Sequence, residues 1–546
     1  MTLTVPHSQR LPLAIAALGF LFLGLFLLYP LFNVFGASLL DPEGERLTFA
    51  NYVKVLGRPF YRGAIVNTLS IGIAATLITT VLAVPLAFAL ARLPSPGKGA
   101  LLALAATPLV LPSFVSAYAI VLLLGRSGIV TQWLQSWGIG FGSIYGGGGI
   151  VLVYVLTLYP YVLLPTLAAF KSVDVSMEEA AQGLGSSPGR TVWTVTLPIV
   201  LPAVLAGALL VFIETLENFG VPFVLAEDLP IFAVEAFKLF IGETAPNPAS
   251  AGVLGVLLIL TTTLVLLVQR RFLSKRRFAT NARKTPPLVK IGTGLRIVAT
   301  LYCWAIVLLA LVPFFAIVVL SFMEFRGPVL HPNFSLANFG FLFDRALRPL
   351  GNTLLFASLA ALLATLVGVP VGYVVTRWRN GVATVLDVVA TLPFAVAGTV
   401  LAIGFVVSFN AGFLVLTGGP LILVLAYTVR KIPFAVRSAS AIVHQIDPSL
   451  EEASISLGRS PLQTLLRIVV PLMLCGIVLT WVTVASELSA TVVLYSGPWR
   501  TLTVVMFQSL EGGGAGIATA AASTLIVVTL VPIALLHRLV RRYELA

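Results

Sequence analysis

Along most of the chain, apolar residues do not recur at the spacing of a half-buried helix or strand. They run on for about 20 residues and then stop at a short polar stretch. At 1.5 Å per residue, a run of that length crosses roughly 30 Å of hydrocarbon. The runs fall at about 12–38, 64–91, 99–124, 146–170, 199–224 and 249–270, and again at 296–321, 350–376, 382–410, 417–435, 471–496 and 514–537. The pattern predicts an all-α membrane protein of about twelve spans, six and then six. The first run is too long for a signal-peptide core and reaches Asp41 without a small-residue cleavage pattern, so it is expected to stay as an anchor.

Composition supports lipid as the solvent: 58% of the 546 residues are hydrophobic and 10% are charged, more apolar surface than one water-soluble core can hide. A net charge of +13 raises nucleic acid as a partner. The basic residues, however, lie in short loops between runs, as the positive-inside rule describes, and no nucleic acid is expected. Arg92 and Lys98, Arg377 and Arg379, and the stretch from Arg270 to Lys290 alternate with loops carrying Asp41, Glu43, Glu45, Glu227, Asp228 and Glu243. That alternation puts both termini on the cytoplasmic side. Cys303 and Cys475 sit in apolar runs and form no CxxC pair, and His7, His331, His444 and His537 are scattered, which argues against a disulfide framework, a histidine-held metal or a nucleophile relay.

The basic stretch RRFLSKRRFATNARKTPPLVK contains Pro286 and Pro287 and reads as a linker, dividing the chain into 1–285 and 286–546. The two parts resemble one another. Glu178-Glu179-Ala180-Ala181 recurs as Glu451-Glu452-Ala453-Ser454, Gly185 as Gly458, Ser187-Pro188 as Ser460-Pro461, and Pro198 as Pro471, all at one offset (452 − 179 = 273). Asn67-Thr68 recurs as Asn352-Thr353 at another (352 − 67 = 285). A fixed offset between motifs marks an internal repeat, here a parallel one of six spans each.

Each motif copy predicts a broken helix. Gly185 and Gly458 are suited to the left-handed turn that ends one helix, and Ser187 and Ser460 to capping the next, with proline at its first position. The pattern EAA, three residues, Gly, nine residues, then I-x-L-P resembles the signature of importer permeases of the ATP-binding-cassette superfamily, and the resemblance covers nearly all the chain. It stands here as EAAQGLGSSPGRTVWTVTLP and EASISLGRSPLQTLLRIVVP, the second with Ser454 for alanine and Val470 for leucine. The resemblance implies a fused pair of type I permease domains in a bacterial inner membrane. It also implies coupling to two copies of a separate ATPase through Glu179, Ala180, Ala181, Gly185, Pro198, Glu452, Ala453, Gly458 and Pro471, and a periplasmic or extracellular binding protein that delivers cargo. No G-x-x-x-x-G-K-[ST] occurs, so ATP and Mg are expected on the partner and no cofactor on this chain.

A carboxylate inside an apolar run is costly and marks a functional candidate. Glu214 and Glu217 lie in one such run and Glu487 in another; Glu214 is 16 residues past Pro198, about 24 Å up a helix. Two readings stand. Glu214, Glu217, Asn218, Glu487 and Ser489 line a path for a cation, with Glu214 and Glu487, equivalent at the 273 offset, holding a hard metal ion transiently; or the carboxylates pair with Arg or Lys and brace the fold. Arg500 is read as a loop residue. The segments ETLENFG and SELSAT resemble ETLADFG and KELPATL of two-domain ferric-iron permeases, with Asn218 in place of Asp and Ser486 and Ser489 in place of Lys and Pro. That resemblance implies ferric iron as cargo; similar fused permeases carry thiamine, phosphonates, sugar phosphates or polyamines. A secondary transporter is the rival class, and has no reason to keep a doubled EAA segment. A membrane enzyme would need a cluster of catalytic groups that the chain order does not offer.

Overall fold

The computed structural model describes residues 7–41, 46–109, 112–140, 142–241, 248–274, 292–327, 329–378, 380–460, 463 and 474–544. It is helical, as the apolar runs predict. Among the described residues eight helices are long and apolar enough to cross a bilayer: Leu11–Leu39, Pro59–Arg92, Ser113–Ser136, Gly147–Ser172, Pro188–Glu217, Thr293–Ser321, Ala337–Arg377 and Ala515–Leu535. A ninth is formed if Gly381–Ala395 and Gly398–Phe409, bent by 106°, are one broken span. Shorter apolar helices at Lys98–Leu109, Ala249–Val265 and Gly476–Ala485, with the charged helix Leu421–Gln445, lie at predicted runs, and a further one, Leu502–Glu511, falls between the eleventh and twelfth.

The runs thus become helices, but four are interrupted at matching places in the two halves. The third run breaks between Leu109 and Ser113, and the ninth between Ala395 and Gly398. Pro112 stands at the first of these breaks and Pro393 in the 3-10 turn Leu392–Ala395 that leads into the second, and a proline lacks the N–H that would continue the ladder. The fifth run breaks after Glu217, and the eleventh after Ala485. The strands described are a small antiparallel hairpin, Met323–Arg326 with Val329–Phe334, on the loop before Ala337–Arg377. The expected boundary near residue 285, with its linker, lies outside the described residues.

The chain forms two compact units that do not follow the order of the sequence. One contains Met1–Gly57, Ala236–Ile259 and Val318–Ala546, and the other Arg58–Glu235 and Leu260–Ile317. Each half therefore gives its first span to the unit built around the other half. In the first unit, Asn33 donates to Ser408 Oγ at 2.8 Å and Phe26 packs against Phe409 with ring centroids 5.9 Å apart. In the second, Tyr302 donates to the Leu82 carbonyl at 2.8 Å, and Arg296 to that of Pro94 at 3.1 Å. A polar hydrogen bond placed within apolar helices fixes which partner a span takes, since leaving the group unpaired in hydrocarbon is costly.

Helices approach most closely where the side chains are smallest. Within the second half, a Cβ added at Gly372 would lie 2.6 Å from that of Ala439 and 2.7 Å from the Val436 carbonyl. Gly372→Val is expected to destabilise by about 1–3 kcal/mol through overpacking, whereas Gly351→Ala, with nothing within 4 Å, leaves the protein unchanged. Thermal unfolding in detergent, read as a drop in midpoint for the first variant alone, checks this.

Candidate functional site

Two polar segments carry the repeated motif, and each is built by capping. In the first half, Asp174 accepts from the Ser176 amide at 3.0 Å and starts the helix Val175–Gly183. Asp447 accepts from Ser449 in the same way at 2.9 Å, before the helix Pro448–Ser456. That amide holds the Asp447 carboxyl below its ordinary range, with the Ser449 hydroxyl adding to the effect. The helix then ends in a Schellman turn. Gly185 at φ +90° lets the Ser186 amide reach back to the Ala181 carbonyl at 3.1 Å, and Gly458 at φ +85° lets that of Arg459 reach Ser454 at 3.2 Å.

The next helix is capped by serine. Ser187 accepts from the Arg190 amide at 3.4 Å with Pro188 following it, as the sequence predicts. Ser460 and Gln463 form a reciprocal capping box: the Gln463 amide donates to Ser460 Oγ at 3.2 Å and the Ser460 amide to Gln463 Oε1 at 3.1 Å. A π turn, Val192–Thr196, then leads into Leu197–Glu217, where Pro198 supplies no N–H. Pro471 and the side chain of Glu452 lie outside the described residues.

These segments present apolar side chains to the outside. Leu184 is 91% exposed and Leu457, its counterpart 273 positions on, 84% exposed (457 − 184 = 273). Met177 and Leu450 form a second exposed pair, beside the exposed Glu179, Ala180 and Ala453; Ala181 is half-buried. Glu178 faces the other way. It forms an ion pair with the buried Arg92 at the end of Pro59–Arg92 and accepts from Thr196 at 2.7 Å. In the second half, Arg377 ends Ala337–Arg377 and donates to the Ile446 carbonyl at 3.0 Å.

The carboxylates sit at the helix breaks, in different surroundings. Glu487 is 4% exposed and its Oε2 meets Arg430 Nε at 3.1 Å and Lys431 Nζ at 3.2 Å, while Oε1 accepts from the Ala490 amide at 3.3 Å. It is at once a salt-bridge partner and a cap. Gly398 leaves room for this cluster, since a Cβ there would fall on the Arg430 guanidinium and beside Ser489. In the first half, Glu217 is buried and Glu214 half-buried, with the Tyr154 phenol in electrostatic range of Glu214 and that of Tyr161 in range of both. Asn218 bridges the break, accepting from the Val221 amide at 3.0 Å and donating to Ser113 at 2.8 Å.

The register of these breaks differs from the sequence motif's. Asn67 and Thr68 bond Pro230 O and Phe232 N, and Asn352 and Thr353 bond Arg500 O and Leu502 N, an offset of 270 (502 − 232 = 270). At that offset Glu487 corresponds to Glu217, where the motif's 273 paired it with Glu214. The eleventh run breaks earlier along its helix than the fifth, which moves the later residues three places. Arg430 and Lys431 went unread in the sequence, although two adjacent cations inside an apolar run are a signal of the same kind as a carboxylate. Arg500 is exposed and donates to Gln508, itself bonded to Tyr495, as suits a loop residue. Among the described residues, no group of three or more His, Cys, Asp or Glu comes together.

Known proteins resemble this chain over most of its length. The family model described as binding-protein-dependent transport system inner membrane component matches twice, at residues 81–278 and 364–545. A ferric transport system permease protein of Actinobacillus pleuropneumoniae is 31% identical over 521 residues, 92% of this chain and 74% of that protein. A sulfate transport system permease protein of Synechococcus elongatus is 31% identical over 271 residues, 48% of this chain and 91% of that one. A crystal structure of a bacterial ABC transporter involved in the import of the acidic polysaccharide alginate superposes with a TM-score of 0.41 at 17% identity, over 50% of this chain and 97% of the other.

Removing one member of a buried charge cluster strands the rest. Glu487→Gln leaves Arg430 and Lys431 beside each other without their carboxylate and is expected to cost about 3–5 kcal/mol. Adding Lys431→Met should recover part of that loss. Unfolding midpoints of the two variants in detergent are the test; an unchanged midpoint for Glu487→Gln shows that the pair is not needed to hold the break.

Proposed function

Because the chain belongs to the binding-protein-dependent transport system inner membrane components, the permeases of ATP-binding-cassette importers, we propose that it moves ferric iron across the bacterial inner membrane. It is a multi-pass membrane protein and a transport permease rather than an enzyme; an ATPase and a substrate-binding protein are its partners. The observation that carries the iron reading is the pair of carboxylates at the first half's helix break, the half-buried Glu214 and the buried Glu217. Oxygen donors of that kind suit a hard cation in transit. The ferric transport relative, matched over 92% of this chain, favours the same cargo.

The two halves divide the work unequally in this reading. Glu214 and Glu217, with Asn218 at the break, meet the cation. Glu487 and Ser489 keep the second half's break in place, because Arg430 and Lys431 already hold the Glu487 charge. The same two cations favour one second reading, an oxyanion as cargo, as the sulfate permease relative transports by its name. The ATPase binds as two identical copies, one on each exposed apolar segment. Leu184 and Leu457 are their contacts, and Glu179, Ala180, Ala181, Gly185, Pro198, Glu452, Ala453, Gly458 and Pro471 shape the docking segments. Both termini lie on that cytoplasmic side.

Uptake of radiolabelled ferric iron is measured in cells carrying the permease with its ATPase and binding protein. Glu214→Gln is expected to lower it at least about tenfold at normal expression, by removing charge from the path. Absence of iron uptake in the wild type, with uptake of labelled sulfate, establishes the oxyanion reading instead. A second test concerns docking: Gly185→Val and Gly458→Val force β-branched residues into positive φ. Each should lower the amount of ATPase that co-purifies, and the double variant should abolish transport-linked ATP hydrolysis. Undiminished hydrolysis in the double variant rules out the docking assignment.

A further inference from the structure

The second span of each half repeats three features at one offset, and each has a visible role. Asn67-Thr68 and Asn352-Thr353 lie in the N-terminal half of their helices, Pro85 and Pro370 beyond them, and Arg92 and Arg377 at the C-terminal end, all 285 residues apart (377 − 92 = 285). From the threonine to the arginine is 24 residues in either half (92 − 68 = 24), about 36 Å of helix, enough to cross the membrane.

The threonine end grips the chain that follows the helix break. Thr68 gives its own proton to the Ala64 carbonyl at 2.7 Å and accepts the Phe232 amide at 3.1 Å, while Asn67 donates to Pro230 at 3.1 Å. Thr353 donates to Pro349 at 2.9 Å and accepts the Leu502 amide at 2.8 Å; Asn352 donates to Pro498 at 3.1 Å and Arg500 at 2.8 Å. In each half the two adjacent side chains hold one segment, the stretch that follows the helix break after Glu217 or Glu487. The arginine end grips the motif segment through Glu178 in one half and the Ile446 carbonyl in the other. Each span is therefore fastened to both functional segments of its own half.

Between the two grips, the proline removes one backbone hydrogen bond, at a point seven residues before the arginine (92 − 85 = 7). A helix bends most easily at such a point. We propose that the second span of each half is the transmission element of the importer: a membrane-crossing rod, hinged at Pro85 or Pro370, that converts movement of the ATPase-facing segment into movement of the segment behind the membrane carboxylate. Asn67, Thr68, Asn352 and Thr353 are positioning residues, since they act on the path only through the segment they hold. The inference rests on the docking of the ATPase at the motif segments.

The test uses the whole transporter, permease with ATPase and binding protein, in lipid nanodiscs. Thr68→Val with Thr353→Val removes both acceptors at nearly constant volume. It is expected to lower the stimulation of ATP hydrolysis by binding protein about tenfold, with basal hydrolysis and ATPase co-purification at wild-type levels, and the corresponding Thr→Ser pair should restore stimulation. Pro85→Ala with Pro370→Ala, which completes the hydrogen-bond ladder, should lower stimulation without touching the grips. Full stimulation in either pair of variants overturns the proposal. Should the valine pair fail to assemble, full stimulation in the alanine pair still overturns it. A wild type that recruits no ATPase instead sinks the docking reading on which it rests, a failure visible before any variant is made.

Discussion

Hydrocarbon offers a backbone amide no water to bond, so every interruption of a helix inside this protein must bring its own partner. The rest of the structure depends on how that constraint is met. At the break in the fifth run, the Asn218 side chain accepts the Val221 amide; at that in the eleventh, Glu487 does the same for Ala490. Where the next helices begin, the Phe232 and Leu502 amides are taken by Thr68 and Thr353 from a neighbouring span. The polar residues of the membrane region are not decoration on the helices. They are the condition for breaking them, and the breaks place carboxylates inside the bilayer.

The same residues make the halves unequal. A repeat would have produced two equivalent breaks, one capped by an amide and one by an amide. Instead the second is capped by a carboxylate, and a buried carboxylate needs cations, supplied by Arg430 and Lys431 from the facing helix. Thr157 and Leu158 stand 273 positions before them, so the first half has no such pair there (430 − 157 = 273). The two halves therefore differ in chemistry at this position, even though the helices around it repeat.

The motif segments meet the same demand for capping in water, where it is less stringent but sharper in geometry. Aspartate at the start, a positive-φ glycine at the end and serine at the next start fix three turns within some 15 residues. Their apolar side chains remain uncovered because nothing within their own unit needs them, while Glu178 and Arg377 tie the segments inward. One face is thus left apolar and exposed, and the other is fixed to the membrane spans.

Much of this was legible in the residues alone. Run length gives the solvent and the helices, because an unbroken apolar run of about 20 residues crosses lipid with its own backbone satisfied only as a helix. The glycine, serine and proline order gives the turns of the motif, because those preferences are local. A constant offset gives the repeat. What the chain order does not carry is which helix faces which. The exchange of first spans between the halves depends on contacts such as Asn33 with Ser408 and Tyr302 with Leu82, separated by hundreds of residues. The correspondence of Glu487 with Glu217 follows from which amides Thr68 and Thr353 hold beyond the breaks, a shift of three residues that no motif spans. The fate of a membrane charge is settled in the same way, by the neighbour that packing brings, and only the folded chain shows that Glu487 meets Arg430 and Lys431.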